Sequence, residues 1–215
     1  MTKLIGGLIV LLLPVVLHAQ TTPQPTPAQQ QASQAVLRAF EAGQHQQVID
    51  AANPDATPDI VYAAAQSYLK LTDTEQAVRS FARLAALPAN DPWHFIGMSA
   101  RQLVEDQPEP AIASARQGVA LAEAGTMART AASAHYQLGL ALARLERWPE
   151  AAAAFDTAAQ RDPLSAYPHY YGGLMYSRAG RADQMAIHFD QFLKMAPEAP
   201  ERPEVLSIMR TIRRR

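Results

Sequence analysis

An all-α solenoid of stacked helix hairpins is the fold class that the sequence predicts, and three observations carry it. One spacing of large and small residues recurs: Gly139 and Gly173, Phe155 and Phe189, and Pro163 and Pro197 are each 34 positions apart. The composition suits closely packed helices, with 48% hydrophobic residues and abundant alanine, the best helix former. Cysteine is absent, so no disulfide framework replaces a packed core. A single hairpin cannot bury its apolar face, whereas a stack of them can, and each unit then contacts mainly its neighbours.

The chain opens with Met1-Thr2-Lys3, a short positive start, followed by an apolar run from Leu4 to Leu17 broken only by Gly6, Gly7 and Pro14. Ala19 supplies a small residue at a cleavage position. Residues 1–19 therefore read as a secretory signal peptide. The alternative is an uncleaved anchor, for which the run is shorter than the roughly 20 residues that a spanning helix needs. The expectation is an exported protein, periplasmic or secreted, with no stable membrane anchor after cleavage. Residues 20–30 are rich in Pro, Gln and Thr and predict a disordered tether.

The array is expected over 31–199. Unit 132–165 holds His135-x-x-Leu138-Gly139-x-x-Leu142, then Ala151-x-x-x-Phe155, Ala158 and the closing Pro163. Unit 166–199 holds His169-x-x-Gly172-Gly173-x-x-Tyr176, then Met185-x-x-x-Phe189, Phe192 and Pro197. Unit 58–90 follows with Val61-x-x-Ala64-Ala65-x-x-Tyr68, Ala77-x-x-x-Phe81, Leu84 and Pro88. Unit 90–125 carries Trp93-x-x-Ile96-Gly97-x-x-Ala100 and Ala111-x-x-x-Ala115, with extra residues near Asp106-Gln107-Pro108 and again near Gly125-Thr126. A degenerate hairpin over 31–55 precedes them, turning at Gly43-Gln44. Residues 200–215 predict a capping helix with a basic end: Val205, Leu206, Ile208, Met209 and Ile212 recur at helical spacing, and Arg210, Arg213, Arg214 and Arg215 stay in water. Pro203 suits the first turn of that helix.

This pattern closely resembles the tetratricopeptide repeat over roughly residues 31–199. The resemblance implies a right-handed superhelix whose concave face is lined by the first helix of each hairpin. It places Tyr62, His94, Tyr136 and Tyr170 on that face, with Gln66 beside them, and Lys70, Arg101, Arg144 and Arg178 alongside. Tyrosine offers apolar area with a polar tip, and arginine a planar fork for carboxylates. Together they suggest a groove for a protein or an extended peptide bearing acidic groups. The alternative is that the tyrosines fill core and the cations are an ordinary solvated face. The lysines and asparagines that chaperone-tail binders of the family use are not present, the corresponding places holding Tyr62, Gln66, Phe95 and Gln137.

No enzyme is expected. The sequence has no Gly-rich phosphate loop and no nucleophile elbow, and His135 and His169 occupy equivalent packing positions with no ligand spacing beside them. No cofactor, metal or catalytic residue is assigned. A formal net charge of −1 offers no basic face for nucleic acid. The function expected is a non-catalytic scaffold that binds its partner in the concave groove, in the assembly of an envelope complex. The alternative is a structural spacer or self-association module. Mass spectrometry of the exported fraction is expected to show a soluble chain lacking residues 1–19; a chain that retains Met1 and pellets with membranes refutes the signal-peptide reading.

Overall fold

The computed structural model of the chain describes residues 26–212. Among them are eleven helices and no strand: α1 Pro27–Glu41, α2 His45–Ala51, α3 Pro58–Lys70, α4 Thr74–Ala85, α5 Pro92–Val104, α6 Pro108–Ala124, α7 Ala128–Arg144, α8 Trp148–Arg161, α9 Tyr167–Arg178, α10 Ala182–Met195 and α11 Arg202–Ile212. The first ten pair as antiparallel hairpins, and α11 follows as a terminal helix packed on α10. No described helix is long and apolar enough to cross a membrane.

Each hairpin turns in the same way. Gly43, Thr72, Asp106, Glu146 and Gly180 all take a left-handed backbone just past the first helix, with φ between 56° and 72°. The next amide then reaches back to the helix: Gln44 N–H to Ala39 C=O at 2.8 Å, Asp73 to Tyr68 at 2.9 Å, Gln107 to Gln102 at 2.8 Å, Arg147 to Leu142 at 3.1 Å and Arg181 to Tyr176 at 2.9 Å. This bond satisfies a carbonyl that the helix end leaves unpaired. Helix starts are set by proline in the first turn of α1, α3, α5 and α6, where its missing N–H costs nothing.

Two boundaries differ from the sequence reading. The tether expected over 20–30 ends at Thr26, whose hydroxyl accepts the Gln29 N–H while the Gln29 side chain accepts the Thr26 N–H. That reciprocal cap starts α1 at Pro27. The extra residues near Gly125 form no loop. They lengthen α6 and α7 to 17 residues each, and Thr126 repeats the left-handed turn between them, with Met127 N–H bonded to Ala122 C=O at 2.9 Å. The expected signal peptide, the first residues of the tether and Arg213 to Arg215 lie outside the described residues.

Packing follows the repeat. Phe81, Phe155 and Phe189 are fully buried, and each lies against a small residue of its own unit or the next. A Cβ added at Gly139 would stand 2.8 Å from the Phe155 ring, and one at Gly173 2.5 Å from that of Phe189. Gly97 is more confined still, because a Cβ there would meet backbone: Ala85 N at 2.7 Å and Phe81 O at 2.8 Å, as well as Leu84 Cβ at 2.6 Å.

The array also closes on itself. The Phe40 ring at the end of α1 packs 5.1 Å from that of Tyr167 at the start of α9. Buried Glu41 accepts the Ala166 N–H at 2.6 Å. Gly43 lies against Pro200, and Lys70 at the end of α3 pairs with Glu201 at 2.5 Å.

A pair of substitutions separates helix propensity from packing. Ala at Gly118 meets nothing nearer than 3.4 Å and is expected to stabilise by up to about 1 kcal/mol through propensity. Ala at Gly97 makes the same propensity gain but forces two backbones apart, so a net loss of roughly 1–3 kcal/mol is expected. Thermal melts of Gly97→Ala and Gly118→Ala moving in the same direction would show that the α4–α5 approach is not the tight contact described.

Candidate functional site

The first helices of the hairpins, α1, α3, α5, α7 and α9, supply the inward face, and its centre is a tyrosine cluster. Tyr171 lies 5.5 Å from Tyr136, 4.9 Å from Tyr170 and 6.4 Å from Tyr167, and stacks on Phe155 at 5.6 Å. Tyr136 also meets Phe155 edge-on at 5.6 Å. Tyr62 contacts Trp93 at 5.7 Å and Phe81 at 6.2 Å, and its hydroxyl accepts the Gln137 side-chain N–H at 2.6 Å across 75 residues of chain. Burial pushes the hydroxyls of Tyr62, Tyr136, Tyr167 and Tyr170 well above the usual tyrosine range; the neighbouring carboxylates of Glu201 and Glu204 add to this at Tyr167 and Tyr170.

Every cation expected on this face has a partner within the chain. Lys70 pairs with Glu201 and sits 5.1 Å above the Tyr167 ring. Arg101 pairs with Glu105 at 3.4 Å, Arg144 pairs with Asp106 on the α5–α6 turn, and Arg178 lies 6.0 Å over Trp148. Tyr170 is buried and donates to Glu204 at 2.8 Å. His94 is turned aside: its Nδ1 contacts the Leu87 carbonyl oxygen at 2.9 Å and its ring meets Phe95 edge-on at 4.7 Å. The face is therefore no open ladder of tyrosines and arginines. Its curvature brings α1 against α9 and folds the residues 196–204 onto α3 and α9, so the chain's own groups occupy much of it.

What stays open is a cleft of about 210 Å³ between α3, α5 and α7, lined by Gln66, Leu69, Phe81, Ala100, Leu103, Val104, Gln137, Leu140 and Arg144. The structure thus brings Gln66, Arg144 and Tyr62 to one place and leaves His94 and Arg178 away from it. Gln137 is buried, and with its Nε2 on Tyr62 its Oε1 has no hydrogen-bond partner. Gln137, Tyr171 and the apolar walls Leu69, Leu103 and Val104 were not singled out as site residues by the sequence. Spacing reads helix faces, whereas these residues are joined by the crossing of three helices.

Three of the histidines are packed against carboxylates or each other. His135 Nε2 lies 3.5 Å from Glu123, His188 Nε2 3.0 Å from Asp156, and the Nδ1 atoms of His169 and His188 are 3.4 Å apart. Among the described residues no group of three or more His, Cys, Asp or Glu is placed to hold a metal ion.

Comparison with known proteins agrees with this architecture. Family models described as tetratricopeptide repeat match residues 132–165 and 59–87. No curated protein matches the chain in sequence. Among solved structures, TTC0263, a thermophilic TPR protein in Thermus thermophilus, is 18% identical and superposes with a TM-score of 0.58, covering 83% of this chain and 97% of that one. MamA from Desulfovibrio magneticus RS-1 is 22% identical over 79% of this chain and 96% of that one, with a TM-score of 0.46. YrrB, a TPR protein with an unusual peptide-binding site, is 21% identical over 66% of this chain and 70% of that one, also at 0.46.

The closure beside this face carries an ionisable group. Burial pushes the Glu41 carboxyl up to about 7, against the opposing pull of the Ala166 N–H, and Asp162 adds to the rise. Its folded value lies above the ordinary 4.5. The carboxyl's contribution to stability is therefore complete below pH 4.5 and is lost as pH climbs through about 7. Glu41→Gln keeps an acceptor for Ala166 and cannot ionise. Its stability relative to wild type is expected to rise between pH 4.5 and 8 by up to about 3 kcal/mol, read as the difference between paired urea titrations; a difference that does not change with pH refutes the assignment.

Proposed function

The chain belongs to the tetratricopeptide-repeat family, and on that premise we propose that it is a non-catalytic scaffold that holds a peptide segment of a partner protein in the cleft between α3, α5 and α7. The fold is that of a protein-interaction scaffold. The observation that carries the finer reading is the cleft itself, whose apolar walls carry the exposed Arg144 on their lip. A peptide that places an apolar side chain against Leu69, Leu103 and Val104 removes apolar surface from water. Arg144, more than half exposed on the lip, meets an acidic group of the same peptide by exchanging Asp106 for it. With the signal peptide read at residues 1–19, the setting is the periplasm or the outside of the cell, and the role is assembly of an envelope complex.

A second reading has its own observation. The N-terminal end of the array carries a groove of about 440 Å³ that no other described residue covers, walled by Ala32, Ala35, Val36, Ala39, Ala56 and Ile60, whereas α11 caps the other end. Terminal units of a solenoid need a polar outer face or a cover. A second copy at that groove is the self-association alternative.

Peptides selected from a displayed random library on the wild-type chain test the first reading. They are expected to share an apolar residue next to an acidic one. Leu103→Asp is expected to weaken them at least tenfold, and Arg144→Glu at least fivefold with an effect that shrinks at high salt. Arg79→Glu on the outer helix α4, where Arg79 pairs only with Glu75, is expected to leave them unchanged. Full affinity in both cleft variants, together with concentration-dependent light scattering abolished by Ala35→Glu, favours the self-association reading instead.

A further inference from the structure

One end of the inward face already holds a peptide, and that peptide is part of the chain. Residues 196–204, APEAPERPE, link α10 to the first turn of α11. Ala196 and Ala199 are buried, while Pro197, Glu198 and Pro200 are exposed. The two glutamates that follow are received by groups from elsewhere in the array. Glu201 Oε1 takes the Lys70 ammonium at 2.5 Å and its Oε2 takes the Tyr167 hydroxyl at 2.9 Å. Three residues on, Glu204 takes the Tyr170 hydroxyl at 2.8 Å. Lys70 comes from α3, three hairpins away, and the tyrosines from α9 of the adjoining hairpin, so the curvature of the array completes the receiving site by bringing Lys70 to Glu201. Burial opposes a charge on Glu201, yet Lys70 and Tyr167 hold its carboxyl below the usual range.

We infer that Ala196–Glu204 is an internal ligand of the inward face, and that the partner segment which binds at this end is a turn-forming, proline-bearing peptide with glutamates three apart that displaces it. The inference rests on the reading of the face as a peptide-binding surface and adds the chemistry of the peptide. A tether of a few residues holds a segment at an effective concentration in the millimolar range. An outside peptide therefore competes against its internal copy and binds strongly only once the copy is weakened or the partner brings further contacts, such as those in the cleft. A plain structural latch has the same contacts but gives the free segment no site of its own.

The experiment uses a fluorescein-labelled nonapeptide of residues 196–204 and the whole chain, followed by anisotropy. Glu201→Gln with Glu204→Gln weakens the internal copy, and the nonapeptide is expected to bind this variant at least tenfold more tightly than it binds wild type. Adding Lys70→Ala is expected to remove at least tenfold of that affinity, and a nonapeptide with Gln at both glutamates is expected not to compete. Should the double variant fail to melt cooperatively, hydrogen exchange on wild type decides: saturating unlabelled nonapeptide is expected to speed amide exchange within residues 196–204. No binding by the folded double variant, binding that survives Lys70→Ala, unaltered exchange, or dimers formed by swapping the segment between copies would each overturn the assignment. Leu103→Asp is expected to leave nonapeptide binding intact. Insensitivity of library peptides to Leu103 thus marks failure of the cleft reading alone.

Discussion

Lys70 and Glu201 are 131 positions apart in the chain and 2.5 Å apart in space, and the inward face has its present shape because of that pairing and the contacts around it. An ion pair held partly out of water contributes little by itself, since desolvation offsets the attraction. Here it is joined by apolar contact between Phe40 and Tyr167 and by the Glu41 bond to Ala166. An open solenoid is quasi-one-dimensional, its stability a sum over neighbouring units. A closed one couples its first hairpin to its last, so damage to either end is felt at the other.

The same closure changes what a partner meets. A free ladder of cations would attract acidic peptides over distance. On this face the cations are already engaged, Arg144 with Asp106, Arg101 with Glu105 and Lys70 with Glu201. An incoming carboxylate exchanges with one that leaves, and the net gain from such an exchange at a half-exposed site is small. What the face leaves unengaged is the apolar cleft walled by Leu69, Leu103 and Val104.

Much of the fold is legible in the sequence because it is local. Gly139, Gly173 and their phenylalanine partners announce their spacing, and each closing proline marks a helix end. The capping box at Thr26 and Gln29 was legible too, but it lies inside a Pro/Gln-rich run whose composition argues for a tether. For the site, spacing places Tyr62, Tyr136 and Tyr170 on first helices without showing that Gln137, Tyr171 and Glu204 are their partners. Those partnerships depend on how neighbouring and next-neighbouring units cross, which spacing within one unit does not report. Glu41 gives no local sign at all, since its bond to Ala166 spans 125 residues.

That span sets a clock on the ribosome. Synthesis at about 5–20 residues per second leaves an interval on the order of ten seconds between the emergence of Glu41 and that of Ala166. Until Ala166 and Tyr167 are available, Phe40 lacks its ring partner and Glu41 its N–H donor. When the final hairpin emerges and the clasp forms near neutral pH, Glu41 moves to a place where its carboxyl titrates at about 7. Closing the array and protonating Glu41 are therefore coupled, so the clasp that joins the first hairpin to the last is tighter in acid than in base.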